Sequence, residues 1–468
     1  MHGLRPAVVP RATAEFLVIL LIGILFSRTF AAEAYIVPTG SMAPTLLGLH
    51  REFTCPNCDK SFALGMDERG RSGRPVCPNC GHAGWERAEA VDCNGDRLLV
   101  QKYLFDLRPP RRWEVAVFQN PSDPGQAYVK RVVGLPGEAI LIRDGDIYAN
   151  GRIARKSLAE QRAMRILVFD NNFVPRDAER FPRWIFRHGG RLHPLPSGWR
   201  PEGTRFVHEP TAVGEDRIDW LEYQHLRPDR GGHPGSVYDY TPYNGADLPG
   251  ENRVDDLMIE AQVAADGPVA VRLGGGGDEF LVSIPFGGDE AASVRHNGRP
   301  VPLLGFDPAV LPRRGPIRLE VSWFDRRLTV ALDGKLLFDP IDIDEPPTGP
   351  SPDQIPPALG VLGGGEAVLG DLRIYRDIYY TDALASAPRR PFGVEEPYQL
   401  GPGEYFVLGD NSPVSNDSRF WPESPVVEAS RFLGKPFLVH LPSRVIPLKV
   451  FGRELYWIPD PREIRYIR

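Results

Sequence analysis

Tyr128-Val129-Lys130-Arg131-Val132-Val133, followed by Gly134-Leu135-Pro136-Gly137, reads as a β-strand that ends at a turn. β-Branched and aromatic residues favour the strand, and the glycines and proline stop it. The strand is apolar on both faces, so it belongs inside a sheet and one of its two basic residues points inward. A lysine is almost never buried without a reason. An ordinary lysine has a pKa of about 10.4, which leaves roughly one free amine in a few thousand at neutral pH. Burial can lower that value by ~3 units, and a lysine tuned to about 7–8 can take a proton from a hydroxyl.

A candidate hydroxyl lies upstream, in Pro38-Thr39-Gly40-Ser41-Met42-Ala43-Pro44-Thr45-Leu46. Most serines are solvated loop residues, but Ser41 follows an apolar N-terminal segment and Lys130 supplies it with a base. None of the ten histidines sits in a triad-like motif. The apolar run Phe16–Phe26 is short for a bilayer span, which needs about 20 residues. With Arg28 snorkelling and Glu15 near the opposite end, residues 12–34 can cross, and Arg5 and Arg11 keep the N-terminus cytoplasmic. The rival is a cleavable signal peptide with Ala32-Glu33-Ala34 as its site. Either reading places most of the chain across the membrane.

The 468 residues exceed one ordinary core and predict two or three domains. Gly and Pro at 48 each favour a turn-rich, mainly β protein. A net charge of −6 gives no reason to expect a nucleic-acid partner. Five cysteines are too few for a disulfide scaffold. Four of them form two C-x-x-C knuckles, Cys55-Pro56-Asn57-Cys58 and Cys77-Pro78-Asn79-Cys80, a spacing that predicts a structural zinc ribbon; two disulfides are the alternative. Gly81 suits the turn after the second knuckle. Cys93 is the odd thiol and reads as a small buried residue.

The Ser41 stretch, the Lys130 strand, and Gly409-Asp410-Asn411 followed by Ser415-Asn416-Asp417-Ser418-Arg419-Phe420-Trp421 together resemble the bacterial type I signal peptidases, also called leader peptidases. The resemblance covers about residues 12–54, 94–153 and 396–445. It implies a mostly β Ser/Lys protease on the outer face of the cytoplasmic membrane, held by a retained single span, with no cofactor for catalysis. It makes Ser41 the nucleophile and Lys130 the general base. The Thr39 hydroxyl and the Ser41 N–H become the oxyanion hole, and Ser415 orients Lys130. Asp417 and Arg419 brace that loop, and Met42 lies at a groove accepting Ala-x-Ala sites. The implied partners are preprotein signal peptides, the bilayer and the export machinery. Ser412-Pro413-Val414 and Pro422 depart from the family pattern, as does the ribbon insert.

Between Ile153 and Glu396 runs sequence that no catalytic box needs. Residues 155–163 read as a short helical or connecting piece, and residues 154–199 as a connecting segment. From Leu257 onward, alternating apolar residues and turns at Asp325-Arg326 and Asp333-Gly334 predict an antiparallel sandwich. It resembles concanavalin- or laminin-G-like jelly rolls over 200–395, which leaves a glycan or protein ligand open. The expected order therefore begins with a tail (1–11), an anchor (12–34) and a catalytic segment bearing the nucleophile (35–54). The ribbon (55–93) and a catalytic segment bearing the base (94–153) come next. The connector, the sandwich and a closing catalytic segment (396–468) follow. The predicted function is signal-peptide cleavage. The alternatives are a maturation protease with narrow substrates, or a tethered binding module on an inactive protease scaffold.

Overall fold

The computed structural model describes residues 13, 15–20, 32–67, 69–83, 90–179, 182–188, 197–210, 217–287, 291–311, 315–344, 354–362, 365–382, 391–450 and 453–467. The chain is mainly β. The sheet that carries Lys130 is antiparallel in the order Ala32–Ile36, Arg97–Gln101, Phe432–Leu441, Val115–Gln119, Ala127–Gly134, Glu404–Leu408 and Val427–Glu428. The Ala127–Gly134 strand is interior because apolar side chains cover both faces of its sheet. Leu98, Val100, Val115 and Val117 pack on one side, and Ala116, Phe118, Val132 and Val407 on the other. For the same reason the expectation of one inward basic residue fails. Lys130 is 4% exposed and Arg131 0%, because alternation sends them to opposite faces and both faces are covered.

Ala139–Arg143, Asp146–Ala149, Arg152–Ile153 and Tyr398–Gln399 form a smaller sheet whose Ile140, Ile142 and Ile147 share a core with Val133 and Phe406 of the first. The two cysteine knuckles sit on a three-stranded sheet of Ser61–Gly65, His50–Thr54 and Ala90–Cys93. The residue after each knuckle has a left-handed backbone, Asp59 at φ 58° and Gly81 at φ 78°. Cys93 is buried.

The insertion forms two antiparallel sheets that share one apolar core. One centres on Leu257–Ala265, Ile317–Phe324, Arg327–Leu332 and Ala367–Arg376; the other on Val269–Gly275, Asp278–Ile284, Ile218–Tyr223 and Ala358–Leu362. Asp325 and Arg326, and then Asp333 and Gly334, have positive φ, as tight hairpins twisted with their strands require. Leu158–Met164 is helical, with a capping box between Ser157 and Glu160.

Three expected boundaries change. Residues 154–199 are not a connector, because Ile166–Asp170 pairs with Ala367–Arg376 and Trp184–His188 with Ile218–Tyr223. Each is too short for its period to show, and partners far along the chain decide its state. The sandwich also ends before 395: Ile378 and Tyr380 already pack in a separate core with Ile140, Ile147 and Phe406. Finally, Ala32–Ala34 lie in a strand paired with Leu99–Gln101, so a span reaching residue 34 is excluded there. Residues 13 and 15–20 are helical, and residues 21–31 lie outside the described ones. No helix among the described residues is long and apolar enough to cross a membrane.

Phe169, on one of the strands read as connector, is buried against Trp184 and Tyr223. Phe169→Ala is expected to destabilise the protein by about 3–5 kcal/mol in chemical denaturation, as for a core aromatic. A connector position would change by less than about 0.5 kcal/mol.

Candidate active site

Ser41 occupies a single 3₁₀ turn, Gly40–Met42, at the end of the segment that leaves the first strand. Lys130 Nζ lies 2.6 Å from Ser41 Oγ, and Thr39 Oγ1 donates to the same oxygen at 3.4 Å. Lys130 is pulled down from the usual lysine value to about 8. Burial is the main cause, Asp417 and Asp410 oppose it, and Arg419 reinforces it. The site therefore holds a hydroxyl against an amine with a substantial neutral fraction near pH 8.

The peptide carrying Ser41 is held from the Gly409-Asp410-Asn411 segment. The Asn411 N–H donates to Ser41 O at 3.0 Å, and Asn411 Nδ2 to Gly40 O at 2.9 Å. Asp410 is bidentate with the buried Arg131, at 2.8 Å and 2.5 Å, and also accepts from Thr45 Oγ1. Arg131 spends a further N–H on Trp113 O at 2.6 Å. Asp417 and Arg419 form a second buried pair at 2.9 Å and 2.8 Å. Asp417 accepts from the Gly409 N–H at 3.0 Å, and Arg419 donates to Ser412 Oγ at 2.8 Å. Ser412, one of the departures from the family pattern, thus braces the loop.

Two expected roles change. Ser415 is buried, but its Oγ makes no hydrogen bond to Lys130 or to any other partner among the described residues. That hydroxyl packs onto Gly409, where an added Cβ would meet it at 2.1 Å and Ser41 O at 2.5 Å. Met42 does not face the groove. It is buried with Val37, Leu46, Leu98 and Val100, beneath the turn whose next residue outward is Ser41. Alternation along this short turn puts the serine out and the methionine in.

The site opens on a cleft of about 860 Å³. Tyr35–Pro38, Gln126–Lys130, Met66, Tyr243 and Asn244 line it. Among the described residues, Ala127–Lys130 pair on one edge only, with Val115–Gln119, because Glu404–Leu408 joins from Arg131 onward. Ala32–Ile36 likewise has one partner strand. Two strand edges without a partner strand among the described residues therefore border the cleft. Sequence reading missed Arg131, Asp410 and Asn411 as site residues, although all three lie in or beside the quoted motifs. Tyr243 and Asn244 had no local signal at all.

The four knuckle sulfurs lie within 4.8 Å of one another, with Cys55 Sγ 3.5 Å from Cys80 Sγ and Cys58 Sγ 3.6 Å from Cys77 Sγ. These separations are far longer than an S–S bond, and all four cysteines are free. They match the edge of roughly 3.8 Å that a tetrahedron with ~2.3 Å metal–sulfur bonds requires.

Residues 88–189 and 379–441 match the family described as "Signal peptidase, peptidase S26", a range that takes in Lys130 and Gly409–Arg419 and begins after Ser41. A probable signal peptidase I-2 of Synechocystis sp. is 30% identical over 142 residues, covering 29% of this chain and 42% of that protein. A signal peptidase I of Leptolyngbya laminosa is 31% identical over 143 residues, covering 29% and 46%. One of Pseudomonas fluorescens is 30% identical over 161 residues, covering 34% and 43%. The chain thus spans less than half the length of these curated relatives. Among solved structures, a carbohydrate-binding module, CBM66 from Bacillus subtilis, shares 10% identity at a TM-score of 0.25 over 41% of this chain and 94% of that one, too distant to bear on fold or ligand. Over the matched segments the chain is similar to peptidase S26 signal peptidases, and the relatives it matches are of the signal peptidase I type.

Replacing Arg131 by Met would leave the Asp410 carboxylate buried and unpaired. The expected loss is about 3–5 kcal/mol in urea unfolding. Changing Asp410 to Leu at the same time is expected to recover some of it, which a double-mutant cycle measures.

Proposed function

We propose that the chain is a membrane-tethered endopeptidase that removes N-terminal signal peptides from exported preproteins after Ala-x-Ala-type sites. The observation that carries this reading is the buried Lys130 amine 2.6 Å from Ser41 Oγ, with its pKa lowered to about 8. Neutral Lys130 takes the Ser41 proton as Oγ attacks the scissile carbonyl. The Ser41 N–H and the Thr39 hydroxyl receive the oxyanion; one such donor is worth about 3–4 kcal/mol. The Lys130 ammonium then protonates the leaving amine, and the resulting neutral lysine activates the water that frees the acyl-enzyme. Asp417 and Arg419 act through the loop they brace. The residues leading up to the cut would lie extended along the free edges of Ala32–Ile36 and Ala127–Lys130, hydrogen-bonding as an added strand.

The apolar run Phe16–Phe26 would anchor the chain in the cytoplasmic membrane, with its N-terminus inside and the cleft on the outer face. Phe16–Leu20 are exposed apolar residues, which supports that placement. Cys55, Cys58, Cys77 and Cys80 would hold a structural zinc ion whose work is to fix the ribbon.

The test is cleavage of a purified preprotein by the full chain in detergent. Ser41→Ala and Lys130→Met are expected to lower kcat/KM by at least ~10³-fold, and Thr39→Val by about 10²–10³-fold. Because the neutral amine is the active form, kcat/KM should rise with pH and level off above about 8. Normal cleavage by Lys130→Met would overturn the assignment of the base.

For the ribbon, metal analysis of the full chain should find about one zinc per molecule, lost in Cys77→Ser, with a lower thermal midpoint after chelation. A metal-free protein with paired disulfides would refute the zinc reading.

A further inference from the structure

The insertion reaches into the catalytic cleft. Its one-turn 3₁₀ segment Pro242–Asn244 packs between the nucleophile turn and the ribbon. Tyr243 is buried, and its hydroxyl donates to Leu49 O at 2.7 Å. Its ring fills a slot between two glycines. A Cβ at Gly40 would come within 2.0 Å of Tyr243 Cε1, and one at Gly65 within 2.3 Å of the same atom. Real Cβ atoms do not approach so closely, so the ring can sit there only because both positions lack a side chain.

The next residue is held as firmly. Asn244 and Asn411 exchange side-chain amide hydrogen bonds, 2.8 Å in each direction. The second Nδ2 hydrogen of Asn411 remains for Gly40 O, so the insertion, the third motif and the nucleophile peptide form one connected amide chain. Further on, Asp247 accepts from the Arg74 N–H at 2.7 Å, and Ala246 N–H donates to Arg74 O at 2.9 Å. The turn is thus pinned on two sides, and with Leu248 it lines the same cleft as Ser41 and Lys130.

Resting on the peptidase reading above, we propose that Tyr243 and Leu248 are specificity-determining residues. They form a fixed wall that bars bulky side chains from one substrate position flanking the scissile bond. Gly40 directly precedes Ser41, and consecutive Cα atoms are about 3.8 Å apart, so the ring stands within a residue or two of the attacked carbonyl. A wall held by hydrogen bonds and glycine slots cannot yield cheaply to a larger side chain. A single added methylene in such a site is worth about 10–200-fold in kcat/KM. Asn244 is a positioning residue that acts through Asn411 on the Ser41 peptide.

The experiment uses the full chain and peptide substrates in which each residue on either side of the cut is changed singly from Ala to Leu or Phe. At one flanking position the wild type should disfavour Phe. Tyr243→Ala and Leu248→Ala should raise the Phe-to-Ala ratio of kcat/KM there by about tenfold or more, leaving the other positions unchanged. Tyr243→Phe, which keeps the ring, should leave the ratio as in the wild type. Asn244→Ala should lower kcat with little change in KM or in the pH limb near 8. Unchanged selectivity in a folded Tyr243→Ala, judged by its thermal midpoint, would overturn the inference. If that variant does not fold, unchanged selectivity in Leu248→Ala does so. Failure of the wild type to cleave any preprotein would sink the peptidase reading and this inference together; cleavage with unaltered selectivity sinks this inference alone.

Discussion

The buried Arg131–Asp410 pair joins the three segments on which the site depends. Arg131 belongs to the strand that carries Lys130, Asp410 begins the turn that carries Asn411, and Thr45 brings in the end of the segment that carries Ser41. Burying two charges costs more than their attraction returns unless every remaining polar site finds a partner. Here both Asp410 oxygens are used, and the guanidinium also reaches Trp113 O. A fully satisfied network of this kind is rigid. That rigidity lets Asn411 fix the Gly40 and Ser41 carbonyls to within a hydrogen-bond length.

Lys130 is the complementary case. Its neighbour in sequence is compensated by a carboxylate, whereas Lys130 faces a hydroxyl. Asp417 would restore its charge, but that carboxylate is bound bidentately by Arg419, and the two act on Lys130 in opposite senses. Desolvation is left as the dominant influence, and the amine titrates near 8. The second buried pair therefore supports the loop without holding Lys130 in its charged form.

The same economy explains how a large insertion fits so small a machine. Lys156 bonds Asp325 and Asp377 at 2.5 Å and 2.7 Å, so the entry and exit of the sandwich are tied together. Thr381, just past the exit, accepts from Arg419. The ribbon docks on the sandwich through Asn79, which accepts from the Asp170 N–H at 2.8 Å and donates to Phe173 O at 2.9 Å. At the Tyr243 turn the insertion contacts both the cysteine ribbon, through Arg74, and the Ser41 site, through Asn411.

What was legible in the chain was whatever local chemistry dictates. Lys130 in an apolar strand, Ser41 beside a glycine, two C-x-x-C knuckles and the positive-φ turns at Asp325-Arg326 and Asp333-Gly334 all follow from residue type and spacing within a few positions. What depended on distant partners was not legible. Trp184–His188 and Ile166–Asp170 are strands only because residues far along the chain complete their ladders. Arg131 is buried because both faces of its sheet are covered, Met42 turns inward because the core lies beneath its turn, and Ser415 rests on Gly409 instead of bonding Lys130. Sequence by itself pointed to Ser41 and Lys130 as a hydroxyl–amine pair and to the mainly β character, since these are set by side-chain chemistry and short-range pattern. Tertiary structure alone decided that Asp410 answers Arg131 and which turn of the insertion lines the cleft, because those contacts join residues far apart in the chain, and their strength depends on the burial that folding creates.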